Sequence, residues 1–96
     1  MKRVSLKPIV LTLMLVSGCT SGLGSSAVVS GAGPDELLKL RAGPGLGFRV
    51  ILGLPDGTLL IQRDCVTEAF QLWCRVSLAT APSVTGYVSA DYLIPR

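Results

Sequence analysis

The chain has 96 residues with nine Lys or Arg, six Asp or Glu and no histidine, enough for one domain. Lys2, Arg3 and Lys7 fall in the first seven positions, so six basic side chains (9 − 3) balance six acidic ones in the rest. That remainder carries no basic stripe of the kind nucleic-acid binders show, and a chain without histidine cannot build a Ser-His-Asp or Cys-His catalytic set.

The chain opens as an export signal. A basic start precedes the apolar run Ile9 to Val16, and the small residues Ser17 and Gly18 follow before Cys19. A retained transmembrane helix is the alternative, but a span needs about 20 apolar residues and this run is about half as long, with Pro8 at its head. Val16-Ser17-Gly18-Cys19 resembles a bacterial lipobox. That resemblance implies a diacylglycerol on the Cys19 thiol, further acyl groups such as palmitate, and cleavage after residue 18. The product is an anchor held in one leaflet, since each buried methylene contributes about 0.8 kcal/mol. Thr20 stands where aspartate acts as a retention signal in many enteric bacteria, so the expected location is the outer membrane, facing the periplasm.

Residues 19–34 read as the lipidated cysteine and a tether. Eight of the fourteen residues from Thr20 to Gly33 are Gly or Ser, which gives a flexible reach of about 20 Å. The Val28-Val29 pair is too little to assign structure. Residues 35–96 are the expected domain, about 60 residues and near the lower limit for independent folding. Leu37 to Arg41 alternates as a first strand, with Leu38 and Leu40 on one face. Ala42 to Gly47 holds three glycines and a proline and reads as a loop. Phe48 to Leu54 is a second extended run, and Leu54-Pro55-Asp56-Gly57 is a turn. Thr58 to Arg63, Phe70 to Leu78 and Thr85 to Ala90 complete five strands, with a helical turn at Asp91 to Leu93. Five short strands at close spacing predict a small all-β barrel or sandwich. Two helices over Leu37 to Leu40 and Phe70 to Val76 are the alternative, in segments that are short and rich in glycine and β-branched neighbours.

Cys65 and Cys74 remain after Cys19 is set aside. An even number in a small exported chain predicts a disulfide, between strands expected to be antiparallel neighbours. Two free thiols are the alternative. Two thiols without histidine cannot complete a structural zinc site, so no metal is expected, and no cofactor.

LKLRAGPGLGFRVILGLPDGT resembles the opening of bacterial Src-homology-3-like domains (SH3b type). Leu38, Leu40, Arg41, Gly43, Pro44, Gly45, Phe48, Val50, Leu54, Gly57 and Thr58 carry the resemblance. WCRVSL looks like the central strand of that family, and GYVSADYL like its closing segment, with Tyr87 where tryptophan is commoner. The resemblance covers Leu37 to Leu93. It implies a five- to six-stranded, partly open SH3-like β-barrel, used as a binding or targeting module beside cell-wall hydrolases or in envelope proteins. The proline-rich-peptide ligand of eukaryotic relatives is not carried over, because Leu37 to Arg41 lacks the surface aromatics it needs.

Little else in the chain points to chemistry. Asp64 and Glu68 could pair as hydrolase carboxylates, but they read as solvated loop charges. Trp73 could stack on a sugar or peptide, and otherwise is a core aromatic. Arg41 could meet an anion, or bond to carbonyls of the Gly-Pro-Gly loop. Gly43 and Gly45 lack the Gly-Lys-Ser/Thr continuation of a phosphate loop. The expected activity is therefore non-catalytic binding by a lipid-anchored envelope module, with peptidoglycan as the ligand. The alternative is a protein-interaction or assembly module of an envelope complex. The candidate face joins the loop Gly43 to Phe48 with Arg49, Gln71 and Tyr87.

Overall fold

The computed structural model describes residues 24–96. The expected signal peptide and the lipidation site Cys19 lie outside the described residues. Seven strands follow in order: β1 (Ser25–Val29), β2 (Leu38–Arg41), β3 (Val50–Leu54), β4 (Leu59–Glu68), β5 (Gln71–Leu78), β6 (Ala81–Ser89) and β7 (Leu93–Pro95). One 3-10 turn, Ala90–Tyr92, separates β6 from β7. The strands form one antiparallel sheet in the order β3-β2-β6-β5-β4-β1-β7. It curls into a half-barrel consistent with an SH3-like barrel, with seven strands instead of five or six. No helix among the described residues is long and apolar enough to cross a membrane.

The extra strands are β1 and β7, and they depend on each other. β1 pairs with β4 from Ser25↔Gln62 to Val28↔Leu59 and with β7 from Ala27↔Pro95 to Val29↔Leu93. Among the described residues the sheet therefore begins at Ser25, ten residues before the expected boundary at 35, and residues 25–34 of the expected tether are sheet or its connection. The physical reason is burial: Ala27 and Val29 alternate inward at 0% and 1% exposure, and the neighbours β4 and β7 satisfy the backbone that serine and glycine leave bare. Asp56 holds the next stretch, accepting from the amides of Ala32 (2.9 Å) and Gly33 (3.2 Å). That contact ties the β1–β2 connection to the Pro55–Thr58 turn, which Thr58 closes by donating its amide (3.2 Å) and hydroxyl (2.7 Å) to the Pro55 carbonyl.

The core collects Val29, Leu38, Leu40, Leu54, Leu60, Cys74, Val76 and Val88. Alternation places Cys74 and Val76 on the inner face of β5 and Trp73 and Arg75 on the outer face. Gly86 lets β2 cross close to β6, since a Cβ there would sit 2.7 Å from the Arg41 carbonyl oxygen and 2.8 Å from Leu40. β4 runs five residues beyond the expected end at Arg63. Its ladder with β5 slips between Gln62 and Cys65 and then resumes to Glu68↔Gln71, so Asp64 and Glu68 stand in a strand and not in a loop. Cys65 and Cys74 are direct cross-strand partners, with Cα atoms 3.9 Å apart, and form a disulfide.

Candidate functional site

A shallow groove opens where three distant segments meet on the outer face. The loop between β2 and β3 supplies Pro44, Gly45 and Leu46. The β4–β5 turn supplies Glu68, Ala69 and Gln71. The end of β6 and the 3-10 turn supply Ser89, Asp91 and Tyr92. Two adjoining cavities, about 310 Å³ and about 610 Å³, share Leu46, Trp73, Ser89 and Tyr92. Trp73 is only 6% exposed, yet it sits on the face away from the core and lines both cavities, so it forms the floor of the groove.

The walls are held by specific contacts. Arg41, which pairs with Tyr87 in the β2–β6 ladder, donates through one guanidinium nitrogen to the carbonyls of Leu46 (3.2 Å) and Phe48 (3.0 Å). This fixes the glycine-rich loop and is the structural role set out for Arg41 above. Gly43 is required beneath the Phe48 ring, because a Cβ there would run into it. On the other side the Gln71 amide donates to the Ser89 hydroxyl at 2.8 Å, and the same oxygen accepts from the Asp91 amide at 3.3 Å. Ser89 thus joins β5 to the turn that carries Tyr92.

The turn at the groove end is strained. Ala69 and Phe70 both have positive φ, 49° and 66°, in a two-residue hairpin where Asn-Gly is the relaxed choice. Phe70 is held fully exposed there. A left-handed conformation costs an L residue roughly 1–2 kcal/mol.

The expected face is only partly assembled. Gln71 and the glycine-rich loop meet at the groove. Arg49 is exposed at the foot of β3 and lines neither cavity. Tyr87 is half-buried between its ladder partners Arg41 and Arg75 and lines neither cavity. The candidate face took in Leu46 within its loop but left out Ser89 and Tyr92. A signal was present in Trp73, an indole at an outward position of a central strand, which needs cover from elsewhere in the chain.

Electrostatically the groove has an acidic end, Glu68 and Asp91, and a mixed end, Glu36, Lys39 and Arg41. Asp64 is occupied outside it. Arg75 grips one of its oxygens at 2.9 and 3.1 Å, and this hydrogen bond, with smaller help from the Asp64 backbone and from Arg63, holds the carboxyl below its usual pKa. A general acid needs the opposite shift. Among the described residues no group of three or more His, Cys, Asp or Glu could hold a metal ion.

These features define a small all-β half-barrel with an aromatic-floored groove on its outer face. The sequence is similar to "Putative N-acetylmuramoyl-L-alanine amidase YrvJ" of Bacillus subtilis (strain 168), at 35% identity over 74 residues, which is 77% of this chain and 12% of that protein. The chain therefore spans about an eighth of the curated relative it matches. No family model matches the chain, and no solved structure matches it at a significant level.

Proposed function

We propose that this protein is a non-catalytic module of the SH3b type that binds peptidoglycan through its peptide portion. The similarity to a segment of a cell-wall amidase carries the reading, and the groove is its candidate binding surface. A match over an eighth of a large enzyme suits an accessory domain that localises the enzyme on its substrate. In this chain the absence of histidine and the engagement of Asp64 by Arg75 leave little for acid–base work. An open groove with an aromatic floor and an acidic end suits an extended peptide carrying an amine. Binding is expected to be weak and dominated by few residues.

The test is co-sedimentation with purified sacculi. Leu46→Ala combined with Tyr92→Ala should weaken binding by about tenfold, roughly 1.4 kcal/mol, while Arg49→Ala should leave it unchanged. Sacculi stripped of their stem peptides by an N-acetylmuramoyl-L-alanine amidase should retain no protein. Undiminished binding to stripped sacculi would move the ligand to the glycan.

The same proposal puts the protein on a membrane through a lipid on Cys19, at the outer membrane facing the periplasm. β1 begins six residues after Cys19, a span of at most about 20 Å even when extended. The barrel would then ride close to the lipid surface. Cys19→Ala should abolish acyl labelling and release the protein from the membrane fraction; labelling that persists refutes the anchor.

A further inference from the structure

The two edges of the sheet are unlike. β7 is three residues long and ends in Pro95, which lacks the N–H that a further ladder requires, a common guard on sheet edges. β3 is the opposite edge, five residues reading VILGL, with no proline and no charge. Its Val50, Ile51 and Leu52 are 43%, 38% and 41% exposed. Two apolar neighbours widen the patch. Phe48 is 47% exposed just ahead of the strand, and Leu37, 52% exposed, lies over Gly53, where a Cβ would come within 2.7 Å of it.

Leu52 is the most telling of these residues. Its ladder partner is Leu40, so it projects to the core side of the sheet, as Leu54 does two residues on. Leu40 and Leu54 are buried at 0% and 2%, whereas Leu52 stands at the open lip of the half-barrel. The β2–β3 register slips between Leu40 and Arg41, and from Leu52 to Leu54 the pairing is regular, so a core-facing leucine there, beside backbone donors and acceptors with no proline or charge, is an unfinished edge.

We propose that β3 pairs antiparallel with β3 of a second copy, about a two-fold axis at Leu52, to give a symmetric dimer with one sheet continuous through both copies. The sequence selects this register. Leu52 then meets Leu52 of the second copy and extends the core across the axis. Ile51 lies opposite Gly53, over which Leu37 of the same chain already packs. Arg49 lies opposite Pro55 and one residue from Asp56 of the second copy, so two cation–anion pairs form by symmetry at the ends of the ladder. Arg49 makes no ion pair among the described residues and is free to do this. An axis at Ile51 would move Arg49 opposite Gly53 and away from Asp56. Reciprocal charge matching between Arg49 and Asp56 at the two ends of the ladder favours a second copy over an unrelated one.

The test is sedimentation equilibrium of the full chain in mild detergent. The parent should show a concentration-dependent monomer–dimer equilibrium. Leu52→Lys places like charges opposite each other at the axis and should raise the dissociation constant by about tenfold or more, with the circular dichroism spectrum unchanged. Arg49→Asp should weaken the dimer less. Should Leu52→Lys fail to fold, Leu52→Cys decides the matter. Under mild oxidation it should form an interchain disulfide above the background of the parent, which itself carries Cys19, and Ile51→Cys should not. A parent that stays monomeric at every concentration overturns the proposal. So does a dimer that survives Leu52→Lys, or equal crosslinking at positions 51 and 52.

Discussion

Breaking the Cys65–Cys74 bond should cost this domain a large share of its stability. The two cysteines are nine residues apart, and the chain-entropy relation for a loop of that size gives about 2.6 kcal/mol. The native side loses little on reduction. Cys65 and Cys74 are paired in the ladder between β4 and β5, Cys74 is fully buried, and the Gln62 amide lies 3.5 and 3.6 Å from the two sulfurs. The effect therefore falls on the unfolded chain, which regains the freedom of the β4–β5 hairpin. Domains hold roughly 0.05–0.15 kcal/mol per residue, so the 73 described residues (24–96) correspond to about 4–11 kcal/mol in all. At about 4–8 °C per kcal/mol for a domain of this size, Tm should fall by about 10–20 °C. The assay is thermal unfolding by circular dichroism, oxidised against reduced, with both thiols counted by alkylation and mass spectrometry. The double variant Cys65→Ala, Cys74→Ala is measured beside them and should fall further, because Cys74 leaves a hole in the core. A fully reduced protein whose Tm drops by less than about 3 °C would refute the reasoning and show that the hairpin is already ordered in the unfolded chain.

Two further outcomes follow from the outer face and the groove. Asp64 is held below its usual pKa by Arg75, so its contribution is present above the unfolded value and lost as pH falls through the folded one; Asp64→Asn should flatten that part of the acid limb and leave Tm near neutral pH almost unchanged, as expected for an exposed pair. Replacing Ala69-Phe70 by Asn-Gly should raise stability by about 1–2 kcal/mol through relief of the two positive φ angles, and a simultaneous loss of sacculus binding would place Phe70 at the ligand.

Legibility from sequence tracked how local each signal was. β2, the Pro55–Thr58 turn and β5 are written in short patterns: Leu38 and Leu40 alternate, Pro-Asp-Gly punctuates, and Phe70 to Leu78 is an extended run rich in apolar residues and free of glycine and proline. The full length of β4 was hidden, because Arg63, Asp64, Thr67 and Glu68 have the composition of a loop. They are strand because the disulfide and β5 hold them in register, which no window of β4 alone contains. The groove was less legible still. Leu46, Trp73 and the Ser89–Tyr92 stretch come from three separate segments, and the β5–β6 ladder, which pairs Trp73 with Ser89, and the curl of the sheet unite them. Arg49 and Tyr87 are polar or aromatic and near the right loop, but cross-strand pairing sets Tyr87 between Arg41 and Arg75, and Arg49 stands at the sheet edge.

β1 is where sequence and structure part most, and it yields a decisive experiment. By composition Ser25–Val29 belongs to a serine- and glycine-rich linker, and a fragment of residues 35–96 would be the natural domain to express. In the fold β1 is the only strand between β4 and β7. Its removal uncovers the β4 edge and strips β7 of its only ladder partner. It also takes Val29 from the core, where burying a valine contributes about 1.5–3 kcal/mol. The carbonyl of Val29 accepts from the Gly57 amide at 2.8 Å and its amide donates to Thr58 at 3.0 Å, so the Pro55–Thr58 turn loses its brace as well. Together these losses approach the whole stability of a domain this small. A fragment of residues 24–96 should melt cooperatively with dispersed amide resonances, and one of residues 35–96 should show neither. Cooperative melting of the shorter fragment within a few degrees of the longer would return Ser25–Val29 to the tether and leave a barrel of five strands.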